Sequence, residues 1–165
     1  MEYKACSFTG HRQIKEEHLP QLPSLLARAI AYAYDSGVRT FYSGGAYGFD
    51  MLAAREVLRF RVSHRDVSLV LLLPCPEQAD SWSEWTRDSY EYILSEADEV
   101  VYVSQTYKSD CMRRRNAQLA ARADILIAYV SHMRSGSGQT VNFAKHYGKT
   151  VYNLYPALDA KSEQK

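Results

Sequence analysis

Six short apolar runs, each followed by a segment of helical period or by the end of the chain, alternate along this sequence, and no other feature restricts its fold as strongly. The runs are Tyr3 to Phe8, Val38 to Ser43, Val67 to Leu73, Glu99 to Val103, Ile125 to Val130 and Thr150 to Leu154. Between the first two, Pro20 and Pro23 mark a helix entry, Leu25, Leu26, Ala29, Ile30 and Ala33 form an apolar face, and Gly37 is a natural stop. Further helices are expected after the glycine-rich turn at Ser43 to Asp50 and on to about Arg61, from Ser83 to Ala97 with Trp85, Tyr92 and Ile93 inward, from Cys111 to Ala123, and from Gln139 to Tyr147. Val67 to Leu73 is almost continuously apolar, as a strand covered on both faces must be. Such alternation yields a doubly wound α/β fold: a mainly parallel sheet with helices on both faces. With 165 residues the chain suits a single domain, assigned to residues 1–156, followed by a polar, frayed tail over 157–165.

In folds of this kind ligands sit at the carboxyl ends of the strands, near the point where strand order reverses. Three polar or glycine-rich loops directly follow strands and would share that edge: Thr9-Gly10-His11-Arg12, Ser43 to Asp50, and Ser135 to Thr140. In the first, Thr9 offers a hydroxyl, Gly10 permits close approach and Arg12 can hold a phosphate with two parallel bonds. His11 could bind phosphate or carry a proton, and the alternative for this loop is a surface turn with a helix-capping threonine. In the second, Gly44, Gly45 and Gly48 shape a turn into a helix N-terminus, an anion site in principle. Asp50 there could cap the helix or accept from a ribose hydroxyl. In the third, Ser135, Gly136, Ser137, Gly138 and Thr140 form a nest-like loop before a helix. None of the loops has the Walker lysine or the spacing of the dinucleotide fingerprint.

Of three successive arginines, Arg113 and Arg114 read as a solvated face, whereas Arg115 and Asn116 could reach the strand ends. Trp82, Trp85, Tyr90 and Tyr92 could stack a base, although core and rim packing is the ordinary role of such a group. His64, His132 and His146 show no metal-ligand spacing, so no structural metal is expected, and no cofactor is assigned. The three cysteines are scattered, which argues against a disulfide framework and fits a reduced, cytoplasmic setting. No basic segment precedes an apolar one at the N-terminus, and no run approaches a membrane span. A formal net charge of +1 creates no global field toward nucleic acid.

The pieces Phe8-Thr9-Gly10-His11-Arg12, Ser43 to Asp50, Arg115-Asn116 and Ser135 to Thr140 resemble, in combination and order, the YpsA-like family of bacterial proteins. That family belongs to the SLOG superfamily of Rossmann-like domains, and the resemblance runs from Tyr3 to about Tyr155. It implies a bacterial, cytosolic domain that binds a nucleotide or nucleotide-derived small molecule, as a sensor or regulatory module, with a homo-oligomer compatible. The LOG phosphoribohydrolases are a related group that uses an arginine and a glutamate. Here Arg115 matches the arginine and becomes the candidate catalytic cation, but Asn116 replaces a lysine, Gln139 a threonine and Asn142 the glutamate. An amide cannot act as general acid or base, so an enzyme cleaving a nucleotide would need Asp50 or Asp110 instead. The DNA-processing protein A family has a Ser-Gly-x-Ala-x-Gly-Ile-Asp loop close to Ser43 through Asp50 and a Ser-Gly-Ser loop resembling Ser135-Gly136-Ser137, which makes a single-stranded DNA binder the other alternative.

Overall fold

The computed structural model describes the backbone of residues 3–163 and side chains through residue 160. Its strands are β1 (Ala5–Gly10), β2 (Thr40–Ser43), β3 (Ser68–Leu73), β4 (Glu99–Tyr102), β5 (Ile125–Tyr129) and β6 (Thr150–Asn153). The helices are α1 (Leu22–Asp35), α2 (Phe49–Ser63), α3 (Glu84–Glu96), α4 (Cys111–Arg122), α5 (Gly136–His146) and α6 (Tyr155–Glu163). All strand pairs are parallel, in the order β4-β3-β2-β1-β5-β6. This is the doubly wound, Rossmann-like single domain expected from the alternation.

Period-two alternation along the strands divides the core. Leu69, Leu71 and Leu73, with Ile125, Ile127 and Tyr129, join the main cluster with Leu26 and Ile30 of α1 and Val57 of α2. Leu126, Ala128 and Val130 face Ala120 of α4 and Val141 and Ala144 of α5. Val70 and Leu72 pack on Leu119 of α4. Polar Ser7 faces this second side because its hydroxyl donates to the Leu119 carbonyl at 2.7 Å.

Several expectations are corrected. Thr9 and Gly10 belong to β1, in register with Ala128 and Tyr129, so the turn begins at His11. Helix α5 starts at Gly136, three residues earlier than the apolar pattern indicated, because Ser135 caps it by accepting from the Gly138 N–H at 2.9 Å. Trp85 and Tyr92 point outward, 83% and 55% exposed. The inward stripe of α3 passes instead through Tyr90, Ile93 and Leu94, the i, i+3, i+4 set, and continues to Ala97 just past the helix end. The segment from Ala157, expected to fray, is helical to Glu163, with Leu158 buried in the core. Gln164 and Lys165 of that expected tail lie outside the described residues, as do Met1 and Glu2. Short 3-10 turns at Glu16–His18 and Pro76–Ala79 had no counterpart in the sequence reading. Among the described residues no helix is long and apolar enough to cross a membrane.

Candidate functional site

Strand order reverses between β1 and β5. The chain leaves β1 for α1 on one face of the sheet and leaves β5 for α5 on the other, so a crevice opens at their carboxyl ends. A cleft of about 750 Å³ lies there. Thr9, Gly10, His11, Arg12, Asp50, Arg115, Asn116, Ser135, Gly136 and Ser137 line it, all from the predicted set. A groove of about 680 Å³ between α2 and α3 carries four arginines but lies away from the strand ends. There Arg59 pairs with Glu56 at 2.8 Å and Arg61 with Asp98 at 2.8 Å.

The remaining predicted residues act beneath the cleft. Gly44 has no room for a side chain: a Cβ would lie 2.8 Å from Arg115 Nη1 and 2.9 Å from Asp50 Oδ2. Gly48 begins α2 at φ 86°, and a Cβ there would run into the Arg12 carbonyl. Gly138 is pressed against the Met133 carbonyl, Gly45 faces Leu73 and Tyr90, and buried Thr140 donates to the Gly136 carbonyl at 3.3 Å. These five shape the loops, and none of them lines the cleft.

Asp50 sits in the first turn of α2 without capping it, since Gly48 holds the cap position. The residue is only 5% exposed, and its Oδ1 has no hydrogen-bond partner. Burial pushes its pKa up to about 6, although Arg115, Arg12 and the backbone amides of Ala46 and Gly10 pull the other way. Arg115 is equally enclosed. It donates to the Gly44 carbonyl at 2.6 Å, to Gln78 Oε1 at 3.4 Å and, through Nε, to Asn116 Oδ1 at 3.0 Å. Burial lowers its pKa while Asp50 raises it. Asn116 Nδ2 in turn donates to the Gly136 carbonyl at 3.2 Å and so ties α4 to the first turn of α5. Arg113 and Arg114, two residues and one residue before Arg115, are exposed as expected.

His11 connects the first and third loops. Its Nε2 accepts the Ser131 N–H at 2.8 Å, and its Nδ1 lies 3.1 Å from Ser137 Oγ. The neutral ring therefore carries its proton on Nδ1 and donates it to Ser137, so His11 is not positioned as a base that activates this serine. Burial and then the stacked ring of His132, at 4.5 Å between centroids, lower the His11 pKa.

Ser131, His132, Met112, Tyr129 and Tyr155 also line the cleft and escaped the sequence reading. Ser131 and His132 were findable, because they follow a strand just as the recognised loops do. The network behind Tyr129 was not. Its hydroxyl lies 2.6 Å from His18 Nδ1, and His18 Nε2 lies 2.8 Å from Asp159 Oδ1. With Nε2–H donating to the carboxylate, Nδ1 accepts from the tyrosine, and α6 is pinned to the floor of the cleft. Asp110 and Asn142 are exposed and lie outside the cleft, leaving Asp50 as the only carboxylate among its described lining residues.

The chain is similar in sequence and fold to known proteins. A UPF0398 protein of Bacillus thuringiensis (strain Al Hakam) is 27% identical over 156 residues, covering 88% of this chain and 85% of its own. DNA processing protein A of Helicobacter pylori, described for its single-stranded DNA binding mode, superposes with TM-score 0.63 at 20% identity over 90% of this chain. The Streptococcus pneumoniae protein of that name gives 0.65 at 17% over 92%. This chain spans only 63% and 50% of those two, and likeness at such identity shows the fold alone. The family model of YpsA, described as the YspA SLOG family, matches residues 3–155, and this chain belongs to that family.

Proposed function

We propose that the switch-point cleft binds a nucleotide or nucleotide-derived small molecule and that the protein acts as a sensor or regulatory module. The observation that carries this reading is Asp50: a carboxylate oxygen buried at the cleft, without a partner, beside the buried Arg115. A buried acceptor left unmatched costs about 1–3 kcal/mol, which a ligand hydroxyl such as that of a ribose would recover. Arg12 and the Gly136 and Ser137 N–H groups at the start of α5 supply donors for a phosphate in the same cleft. Aromatic rings of Tyr47, Tyr129 and Tyr155 supply apolar lining.

A hydrolase would need more than the site offers. Cleavage of a glycosidic bond ordinarily employs two carboxyl groups, and Asp50 has no second carboxylate facing it across the cleft among the described residues. The likeness to a protein with a single-stranded DNA binding mode supports a second reading, in which the exposed Arg12 and Lys15 at the cleft follow a nucleic-acid backbone.

A thermal-shift panel of mononucleotides, cyclic nucleotides, NAD, ADP-ribose and a short oligonucleotide tests these readings. A ligand at 100 times its Kd adds about 2.7 kcal/mol. We expect a rise with one nucleotide class that is lost in Arg12→Ala and weakened in Asp50→Ala. A rise confined to the oligonucleotide, with affinity falling steeply in salt, would replace this reading with the DNA one. Turnover that disappears in Arg115→Ala would refute a pure sensor.

A further inference from the structure

We propose that the ligand has two parts, and that its outer part occupies a second concavity built on Trp82; this rests on the cleft being a nucleotide site. That concavity, of about 290 Å³, is lined by Arg12, Tyr47, Ser81, Trp82, Ser83 and Thr86. Arg12 and Tyr47 also line the main cleft, so the two spaces share one wall. The wall consists of the Arg12 guanidinium lying over the Tyr47 ring at 4.9 Å.

Its two halves differ in firmness. Tyr47 meets Trp82 edge-on at 5.2 Å, and Trp82 meets the buried Tyr90 at 5.2 Å, so the aromatic part is anchored to the core. Arg12 is exposed and, among the described residues, its side chain enters no hydrogen bond or ion pair. Its contact with Tyr47 can exchange for a stronger ligand contact. A cation on the boundary between two spaces suits an anion that crosses it, and a planar guanidinium suits a diphosphate. Beyond it, the half-buried Trp82 ring offers an apolar wall, and Ser81 and Thr86 bring hydroxyl groups to the rim. An aromatic wall with hydroxyls at its edge suits a sugar-sized polar group. The ligand class is therefore a nucleoside diphosphate that carries a further sugar-sized group. Its nucleoside lies at Asp50, its diphosphate at Arg12 and its outer group at Trp82.

The chain has two tryptophans, and Trp85 is 83% exposed outside both spaces, so Trp85→Phe leaves Trp82 as the sole indole reporter. AMP, ADP and ADP-ribose are titrated into this variant by calorimetry and by fluorescence. The proposal requires ADP-ribose to bind at least about ten-fold more tightly than ADP and to change the Trp82 emission, while AMP and ADP leave it unchanged. Ser81→Glu adds a carboxylate at the exposed rim. It should weaken ADP-ribose far more than ADP and bring the two to similar affinity. Equal affinities for ADP and ADP-ribose with unchanged Trp82 emission overturn the proposal, as does equal weakening of both by Ser81→Glu. A nucleotide response in the thermal-shift panel alongside a silent Trp82 overturns the two-part ligand alone. A panel silent to every nucleotide overturns the proposed function, and this inference with it.

Discussion

Asp50 makes stability depend on pH in a direction unusual for a carboxylate. Its pKa is raised to about 6 by burial, against 3.8 for an ordinary aspartate. Between these values the native state binds more protons than the unfolded state, so stability falls as pH rises. The proton-linked stabilisation is complete below the unfolded value and is lost as pH climbs through about 6. A gap of roughly two pH units, at about 1.36 kcal/mol each, amounts to about 3 kcal/mol. Asp50→Asn keeps the shape and removes the titration. Urea denaturation of both proteins from pH 4 to pH 8 measures the difference. The unfolded aspartate is already partly ionised at pH 4, so wild type should lose about 2.5 kcal/mol relative to Asp50→Asn across that range, or roughly 5–10 °C in Tm for a chain of this size. Replacing Asp50 also changes the surroundings of Arg115, but that guanidinium stays charged throughout, so it shifts the offset between the curves and leaves their divergence intact. Parallel curves would refute the enclosed, ionisable Asp50 and with it the acceptor on which the proposed function depends.

Other substitutions separate residues that shape the site from those that are merely near it. Gly48→Ala places a methyl group against the Arg12 carbonyl at φ 86° and should cost about 1–3 kcal/mol in chemical denaturation. Gly136→Ala meets only Asn116 Nδ2 at 3.8 Å and should leave Tm within a few degrees of wild type, although both glycines belong to predicted ligand loops. Ser135→Ala removes the cap of α5 and should cost about 1 kcal/mol, seen as faster hydrogen exchange in its first turn. Tyr129→Phe strips His18 Nδ1 of its partner and should cost about 1–3 kcal/mol, with α6 losing protection first.

The fold class was legible in the chain because strand and helix periods are local properties. Val67 to Leu73 announces a strand buried on both faces without any knowledge of its neighbours, and β3 is one. The three loops were legible for a related reason: a polar or glycine-rich turn after a strand has few places to go in a parallel sheet. Local pattern is less informative about phase and boundary. Trp85 and Tyr92 are apolar enough to belong inside, yet α3 turns the stripe of Tyr90 and Ile93 inward to pack beside α2. The start of α5 depended on a serine cap that apolar spacing does not register.

The sequence by itself determined the alternation, the single domain and the residue types at the strand ends. Tertiary structure decided what those residues became. Strand order set β1 beside β5, although 114 residues lie between Gly10 and Ile125 in the chain, and thereby opened the crevice between them. Helix phase buried Arg115 and left its two arginine neighbours in water. Long-range packing brought Asp159 to His18 behind the cleft and drove the Asp50 carboxylate out of solvent beside Arg115. Charge, burial and partner are collective properties of elements far apart in the chain. Local periodicity can nominate a residue for a site, and only the packed fold supplies the environment that gives it chemistry.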